Sequence, residues 1–567
     1  MRLRVFVFLV LCVTSGACTA PTEDWSDPAW VDLRLESLDP RAFTEFTNLT
    51  AEQQVALVPT LVEVYNGGLR QQDALRALVS AADPRGKDVF LAALDRPDDE
   101  LAGLGARGLA AINDTASAAV VARRLSTVTQ HDAYPAFLDS LRAIPTPEAG
   151  DVVAQLMVRP AARIGGINTV RQGCHMLGAV ENPSEQVLNG LAFALINFIP
   201  APPQDAVSEC ELALIKHGDR AVPALQALLA GTNQEVNTHL RSLQLPDSVG
   251  RLRGGAVLAH LGTPAATAAL IEWFGTSQEL PRQELARMDI AAQQAWYSQQ
   301  GQLFTLGIEG LAIAGTDDAL ATLRLLENSE IEGSKLTNFQ QWFTLSNGAE
   351  FGLRTSVQEA LSQVGTDADR ELLWERATSG SVTRGGAAFT RELRANALHF
   401  LGRGARPGDM ARYEAVLAAQ EDASFMSAHR VYFVMAEMCG DDAACFASKL
   451  DDTSSLLEEE SLAAMIAATP EGPNRNMATQ NVSGNARTGA VWQIATRLDQ
   501  STLLLDRLAH DSTQVRFNIG RALLVTPTLP ADASAKIDAF IEADSGNSAG
   551  AARDIRHGYR LVKAIRS

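Results

Sequence analysis

Arg251-Leu252-Arg253-Gly254-Gly255-Ala256-Val257-Leu258-Ala259-His260-Leu261-Gly262-Thr263-Pro264 is the stretch that decides the fold. Apolar side chains recur at helical spacing as far as Leu261. Gly262 then supplies a left-handed helix end without a Cβ penalty, and Thr263-Pro264 has the chemistry of a new helix start. Four further stretches close on the same signal, at Gly315, Gly365, Gly402 and Gly440, so that the five glycines lie 53, 50, 37 and 38 residues apart. This spacing predicts two-helix repeats with insertions in the wider intervals. A lone hairpin leaves one apolar face bare, so neighbours must stack. The expected fold is all-α: an α-solenoid of stacked antiparallel helical hairpins forming a superhelix over 40–567.

Composition agrees with a folded helical chain. The 567 residues are 46% hydrophobic but only 6% aromatic, enough apolar surface to offset the ordering of the chain. No apolar run beyond the N-terminus approaches the roughly 18 residues of a membrane-spanning helix. Lys and Arg number 48 against 67 acids, for a net charge of -19, and only six of the basic residues are Lys. That balance argues against nucleic acid as a partner, because phosphate binding needs a basic surface.

Three stretches break the repeat pattern. Residues 281–300 are Gln-rich and predict an added helix; 329–352 carry Trp342 among polar residues; 468–489 combine Pro, Gly and Asn with little periodicity and predict a long loop. The latter two are candidate partner contacts, since loops leaving a rigid scaffold often carry recognition.

Two segments carry a family resemblance. Gly218-Asp219-Arg220-Ala221-Val222-Pro223-Ala224-Leu225-Gln226-Ala227-Leu228-Leu229 resembles the first helix of HEAT repeats, especially the phycobilisome-lyase-type HEAT units of bacteria. Asp511-Ser512-Thr513-Gln514-Val515-Arg516-Phe517-Asn518-Ile519-Gly520-Arg521-Ala522-Leu523 resembles the second helix. The resemblance implies Asp511 and Arg516 as rungs of an inter-repeat ladder. It also implies, by analogy with bilin lyases, a less favoured cofactor-handling alternative.

The N-terminus reads as an address. Two Arg within Met1–Arg4, the apolar run Val5–Val13 and small residues ending in Gly16-Ala17-Cys18 follow the order of a secretory signal over 1–17. The segment resembles a bacterial lipoprotein signal, with Cys18 as the lipidated residue. Ser15 departs from the aliphatic residue usual three places before that Cys. Ser15-x-Ala17 also suits an ordinary signal peptidase, leaving a secreted or periplasmic chain as the alternative. By resemblance to the usual sorting rule, Thr19 favours the outer membrane. Residues 18–39 read as anchor and flexible tether.

Four cysteines remain beyond the signal and Cys18, a number that permits disulfides in an oxidising compartment. Residues six apart on one helix lie about 9 Å apart along the axis, too far to bridge. Gly440-Asp441-Asp442 predicts a turn, however, so Cys439 is expected to pair with Cys445 across it and Cys174 with Cys210 between neighbouring helices.

Catalytic motifs are sparse. Gly103-x-Gly105-x-x-Gly108 matches the dinucleotide fingerprint, but that motif needs a preceding strand and Asp98-Asp99-Glu100 reads as a helix start, so close helix packing is the better account. No metal, cofactor or catalytic residues are expected. The acids Glu437, Asp441, Asp442, Asp451, Asp452, Glu458, Glu459 and Glu460 surround a single base, Lys449. They form a candidate docking face for a basic partner. The function expected is a non-enzymatic protein-interaction scaffold tethered in the bacterial envelope, holding an envelope protein or peptide. A structural envelope spacer is the alternative.

Overall fold

Helix starts fall where short polar side chains meet apolar periodicity. Asp98 accepts hydrogen bonds from the backbone N–H groups of Glu100 and Leu101, and the Asp99–Ala111 helix follows. Thr146 and Asn233 cap the next turns of chain in the same way. In the computed structural model, residues 23–200, 203–276, 282–328, 349–382, 386–420 and 426–566 are described. They form helices almost throughout; a short hairpin, Phe198–Pro200 against Pro203–Asp205, is the one sheet among them. The lipobox Cys18 and most of 329–352, Trp342 included, lie outside the described residues.

The chain divides into two units: one runs to Gly190 and adds Asn197–Gln204, the other comprises Leu191–Ile196 and everything from Asp205 onward. The first is an open stack. The helices Gln71–Ala81, Asp99–Ala111, Tyr134–Ala143 and Ile167–Leu177 pack one on the next. Each is backed by its chain neighbour, Val58–Asn66, Lys87–Leu94, Ala118–Leu125 or Pro147–Met157.

The second unit has the same stacking with a different end. Its row runs through Ser248–Leu261, Ile290–Ala314, Ala349–Val364, Gly386–Arg403, Pro473–Trp492, Thr513–Val525 and Gly550–Arg566. The last helix then packs against Val207–His217 and Ser248–Leu261, where the row began. Shorter helices such as Val222–Leu229 and Asp367–Ser379 back the row. The all-α stack of helical hairpins expected from the sequence is what the chain forms, shared between two units, and within the second the row returns to its start and closes into a ring. The last helix buries an apolar stripe of Ala552, Ile555, Tyr559, Leu561 and Val562, with Tyr559 packed on Phe540, while Ile565 lies beside Gly262 at the end of Ser248–Leu261.

Other expectations change. The tether ends sooner than 39: Asp27 caps a Pro28–Glu36 helix that buries Val31 and Leu35, and Asp32 Oδ1 accepts a 2.5 Å hydrogen bond from Thr60 Oγ1. Residues 473–492 are helical, not a loop. Gly489 is needed there because a Cβ would come 2.6 Å from Tyr432 Cδ1; tertiary packing overrides weak local propensity. In the Gln-rich stretch a short Arg282–Leu285 helix precedes the first turns of the 25-residue Ile290–Ala314 helix. Gly262 and Gly315 do end helices in the left-handed conformation, whereas Gly402 lies inside the Gly386–Arg403 helix, against Tyr432.

The GxGxxG stretch sits wholly within Asp99–Ala111. A Cβ on Gly105 would lie 2.6 Å from Phe90 O and 2.9 Å from Leu94 N, and one on Gly103 3.1 Å from Ala136 Cβ. These glycines let the first unit's helices touch backbone to backbone. Gly105→Ala should therefore destabilise the chain by about 1–3 kcal/mol through overpacking. Gly301→Ala, where the Cβ meets nothing within 4 Å in mid-helix, should stabilise it by about 0.5–1 kcal/mol. Thermal melts of the two variants check this, and a neutral Gly105→Ala would contradict the packing account.

Candidate binding cleft

Ring closure brings side chains from distant repeats together. Glu359, on Ala349–Val364, accepts hydrogen bonds from Arg403 Nη1 at 2.7 Å and from Arg521 Nη2 at 3.3 Å. Burial opposes the ionisation of Glu359, but the two guanidinium groups outweigh it and hold the carboxyl below its ordinary range. Arg403 also stands 5.6 Å from the Trp492 ring centroid. Glu359, Arg521 and Trp492 line a cleft with Glu309 of the Ile290–Ala314 helix. Beyond Arg521 and Leu524 the cleft continues between Phe517, Tyr559 and Asp554.

Three features of this cleft suit recognition of an external segment. Phe517 is 52% exposed at its rim, whereas the other aromatics of the Thr513–Arg566 region, Phe540 and Tyr559, are buried. Gly520 and Gly558 leave the wall beside it low. Glu309 and Asp554 make no hydrogen bond or ion pair among the described residues and line the cleft as carboxylates, Glu309 also acting through its charge on the His260 imidazole. Deeper in the unit, His399 and His429 are packed with Tyr432, whose hydroxyl lies 3.1 Å from His399 Nδ1. Burial, then the charge of Arg403, keeps both imidazoles neutral, His429 down to about 4. That group is core.

The residues singled out from sequence are placed as follows. Asp511 and Arg516 do not form a rung: Ser512, not Asp511, caps the Thr513–Val525 helix, and the Arg516 guanidinium reaches Thr513 Oγ1 at 3.5 Å. Ladders exist elsewhere, where Asp99 and Asp369 in the first turns of their helices and Glu327 in the last turn of its own meet an Arg of another helix. Arg124 meets Asp99 at 2.6 Å, Arg324 meets Asp369 at 2.7 Å, and Arg376 meets Glu327 at 2.9 Å. Burial works against Asp99, yet the N–H groups of Gln130 and Thr129 together with Arg124 hold it at about 2.

Most of the acidic candidates are already engaged. Glu437 accepts from Gly408 N, Asp441 pairs with Arg497, and Asp451 pairs with Arg507 and His510. Asp442, Asp452 and Glu459 accept backbone N–H groups at turns and helix starts. Glu458 and Glu460 are left as surface charges, and Asp441 and Asp451 stay 82% and 56% exposed beside their partners. Cys439 and Cys445 form a disulfide across the Gly440–Asp442 turn, with a Cα separation of 5.4 Å; Cys174 and Cys210, both wholly buried, are disulfide-bonded as well. Among the described residues no group of three or more His, Cys, Asp or Glu is arranged to hold a metal ion, and no helix is long and apolar enough to cross a membrane.

Sequence reasoning missed the cleft. Phe517 sits within the very segment that resembles a HEAT helix, at a position where exposure of a large aromatic was the available signal, but Glu309, which lines the cleft with it, lies 208 residues earlier in the chain.

The fold and cleft define an α-solenoid of stacked helix pairs. No protein family and no curated protein matches the chain in sequence. Among solved structures, importin beta is similar at 13% identity, over 100% of this chain and 78% of that one, with a TM-score of 0.30. An engineered protein is similar at 14% identity, over 95% of this chain and 99% of that one, with a TM-score of 0.20. Scores this low carry no argument about the activity or partners of this chain.

Glu359→Ala would strand Arg403, whose side chain is 12% exposed, as a buried charge without its carboxylate; a loss of about 3–5 kcal/mol is expected in chemical denaturation. The lowered pKa of Glu359 adds stability that is present above the ordinary carboxyl range and is lost as pH falls through the lower folded value. Glu359→Gln should accordingly flatten the decline of stability in acid relative to the wild type.

Proposed function

We propose that this chain is a non-enzymatic scaffold of the bacterial cell envelope that holds an apolar, basic segment of a partner protein in the ring cleft of its second unit. The observation that carries this is Phe517, left 52% exposed beside the carboxylates of Glu309 and Asp554. An exposed aromatic anchor flanked by fixed charge is the pattern of an interaction hot spot, and an overall charge of -19 favours a cationic partner at long range. Holding needs no chemistry: the ring presents the site rigidly, so little ordering cost falls on the scaffold when the partner binds. The reading does not require the bilin-lyase analogy.

Localisation belongs to the same proposal. Lipidation at Cys18 would tether the scaffold to the outer membrane, with the chain secreted or periplasmic if cleavage is by the ordinary peptidase. Support comes from the signal-like N-terminus and from four cysteines held as disulfides, a state that oxidising compartments maintain.

The docking test is photo-crosslinking from position 517 in envelope extracts, with partner retention then measured for Phe517→Asp and for Leu69→Asp, an exposed position of the other unit. Retention should fall at least tenfold for Phe517→Asp alone, corresponding to about 1.4 kcal/mol or more, with an unchanged melting temperature. Equal retention by both variants would remove the cleft as the docking site. For the tether, Cys18→Ser should move the chain from the membrane pellet to the soluble fraction; an unchanged distribution would rule out the lipid.

A further inference from the structure

The ring is closed over a buried carboxylate. Glu211, on Val207–His217, has a side chain 5% exposed. Its Oε1 lies 2.6 Å from His260 Nδ1, on Ser248–Leu261, and its Oε2 lies 2.8 Å from His557 Nε2, on Gly550–Arg566. One acid thereby joins the first helices of the unit to the last, across 346 residues of sequence. We propose that the Gly550–Arg566 helix is a pH-responsive latch: its His557 stretch is held against Glu211 while His260 is charged and works loose as His260 loses its proton.

The proton inventory follows from donors and acceptors. An ionised carboxylate only accepts, so both facing imidazole nitrogens carry hydrogen. His557 Nδ1 is buried without a partner, and a second proton there would be an unsatisfied buried donor. Of the two imidazoles, His260 is the one set between two carboxylates, with Glu211 at hydrogen-bond distance and Glu309 beyond it. From the Ile290–Ala314 helix, Glu309 adds a second negative field at His260. On the helices that meet here, Arg253 is engaged by Asp205 at 3.6 Å, and Asp554 and Arg560 lie one turn either side of His557.

The direction of the response is set by signs. Burial pushes His260 down, but Glu211 and Glu309 outweigh it, so its folded pKa is raised. A raised His contributes stability that is fully present below its unfolded value, about 6.5, and is lost as pH rises through the folded value. Burial likewise opposes ionisation of Glu211, while His260 and His557 bring it down to about 2; its contribution is lost only in strong acid. Closure is thus firmest from about pH 4.5 to 6.5 and weakens toward alkaline pH. The far end of the helix stays fixed, since Arg566 donates to Ile313 O at 2.6 Å and to Leu524 O at 2.8 Å, bonds that do not titrate in this range. Because Asp554, Ile555 and Tyr559 also wall the cleft, loosening would reshape it; that consequence rests on the proposed docking, whereas the latch itself does not.

Hydrogen exchange on the full chain tests it without any ligand. Between about pH 6 and pH 8.5, after correction for intrinsic rates, amides of 550–560 should lose protection, while those of Gly386–Arg403 in the same unit keep theirs and report that its fold is intact. His260→Asn retains a donor near the Nδ1 position but cannot charge, and should abolish the pH dependence. His557→Gln retains the Nε2-side donor and should preserve it. A flat wild-type profile, a wild-type slope in His260→Asn, or a slope lost only in His557→Gln would each overturn the latch. A cleft that captures no partner, with the slope present, would remove the docking reading alone.

Discussion

Every helix pair in this chain has more apolar surface than its own two helices cover, and the structure is organised by where the remainder is buried. In the first unit each pair leans on the next. In the second, the terminal pair leans on the first, and the apolar stripe of Gly550–Arg566 takes the place of the polar capping repeat that an open solenoid would need. Fully burying one Leu, Ile or Val is worth roughly 1.5–3 kcal/mol, so the apolar stripe is what seats the last helix.

Closure then dictates the polar chemistry of the interior. Helices that meet at the seam bring Glu211, His260 and His557 out of water together, and Ala349–Val364, Gly386–Arg403 and Thr513–Val525 do the same for Glu359 and Arg403, with Arg521 partly covered. Buried charges of this kind are weak contributors to net stability, because desolvation consumes most of the Coulomb gain, but losing one partner is costly. Their effect is to define register: only the closed arrangement pairs each of them. Apolar burial thus supplies the driving force, and the buried ion pairs select one geometry.

The same arrangement gives the cleft its character. Repeats distant in sequence contribute Glu309, Phe517 and Asp554 to one wall system, and the helix that closes the ring also forms a side of the cleft. Stability of the seam and shape of the cleft are therefore linked through a single element, which is how a charge change at a buried imidazole reaches a surface that it does not touch.

Much was legible in the sequence. Gly262 and Gly315 end their helices in the left-handed conformation, Asp98 caps its helix, and the Gly103–Gly108 run packs helices instead of cradling a phosphate. These are local: each depends on a residue and its neighbours within one or two turns. What stayed hidden depended on partners far along the chain. The Asn- and Gly-rich 473–492 stretch is helical because Tyr432 packs against it. Asp511 and Arg516 looked like a rung, but capping by Ser512 and the spacing of real neighbours placed the ladders elsewhere. The sequence by itself determined helix pairs and the need for them to stack, since periodicity and capping are short-range. Only the tertiary structure decided that the second stack closes, because whether the last apolar stripe meets the first helix depends on the summed rotation of every repeat between them.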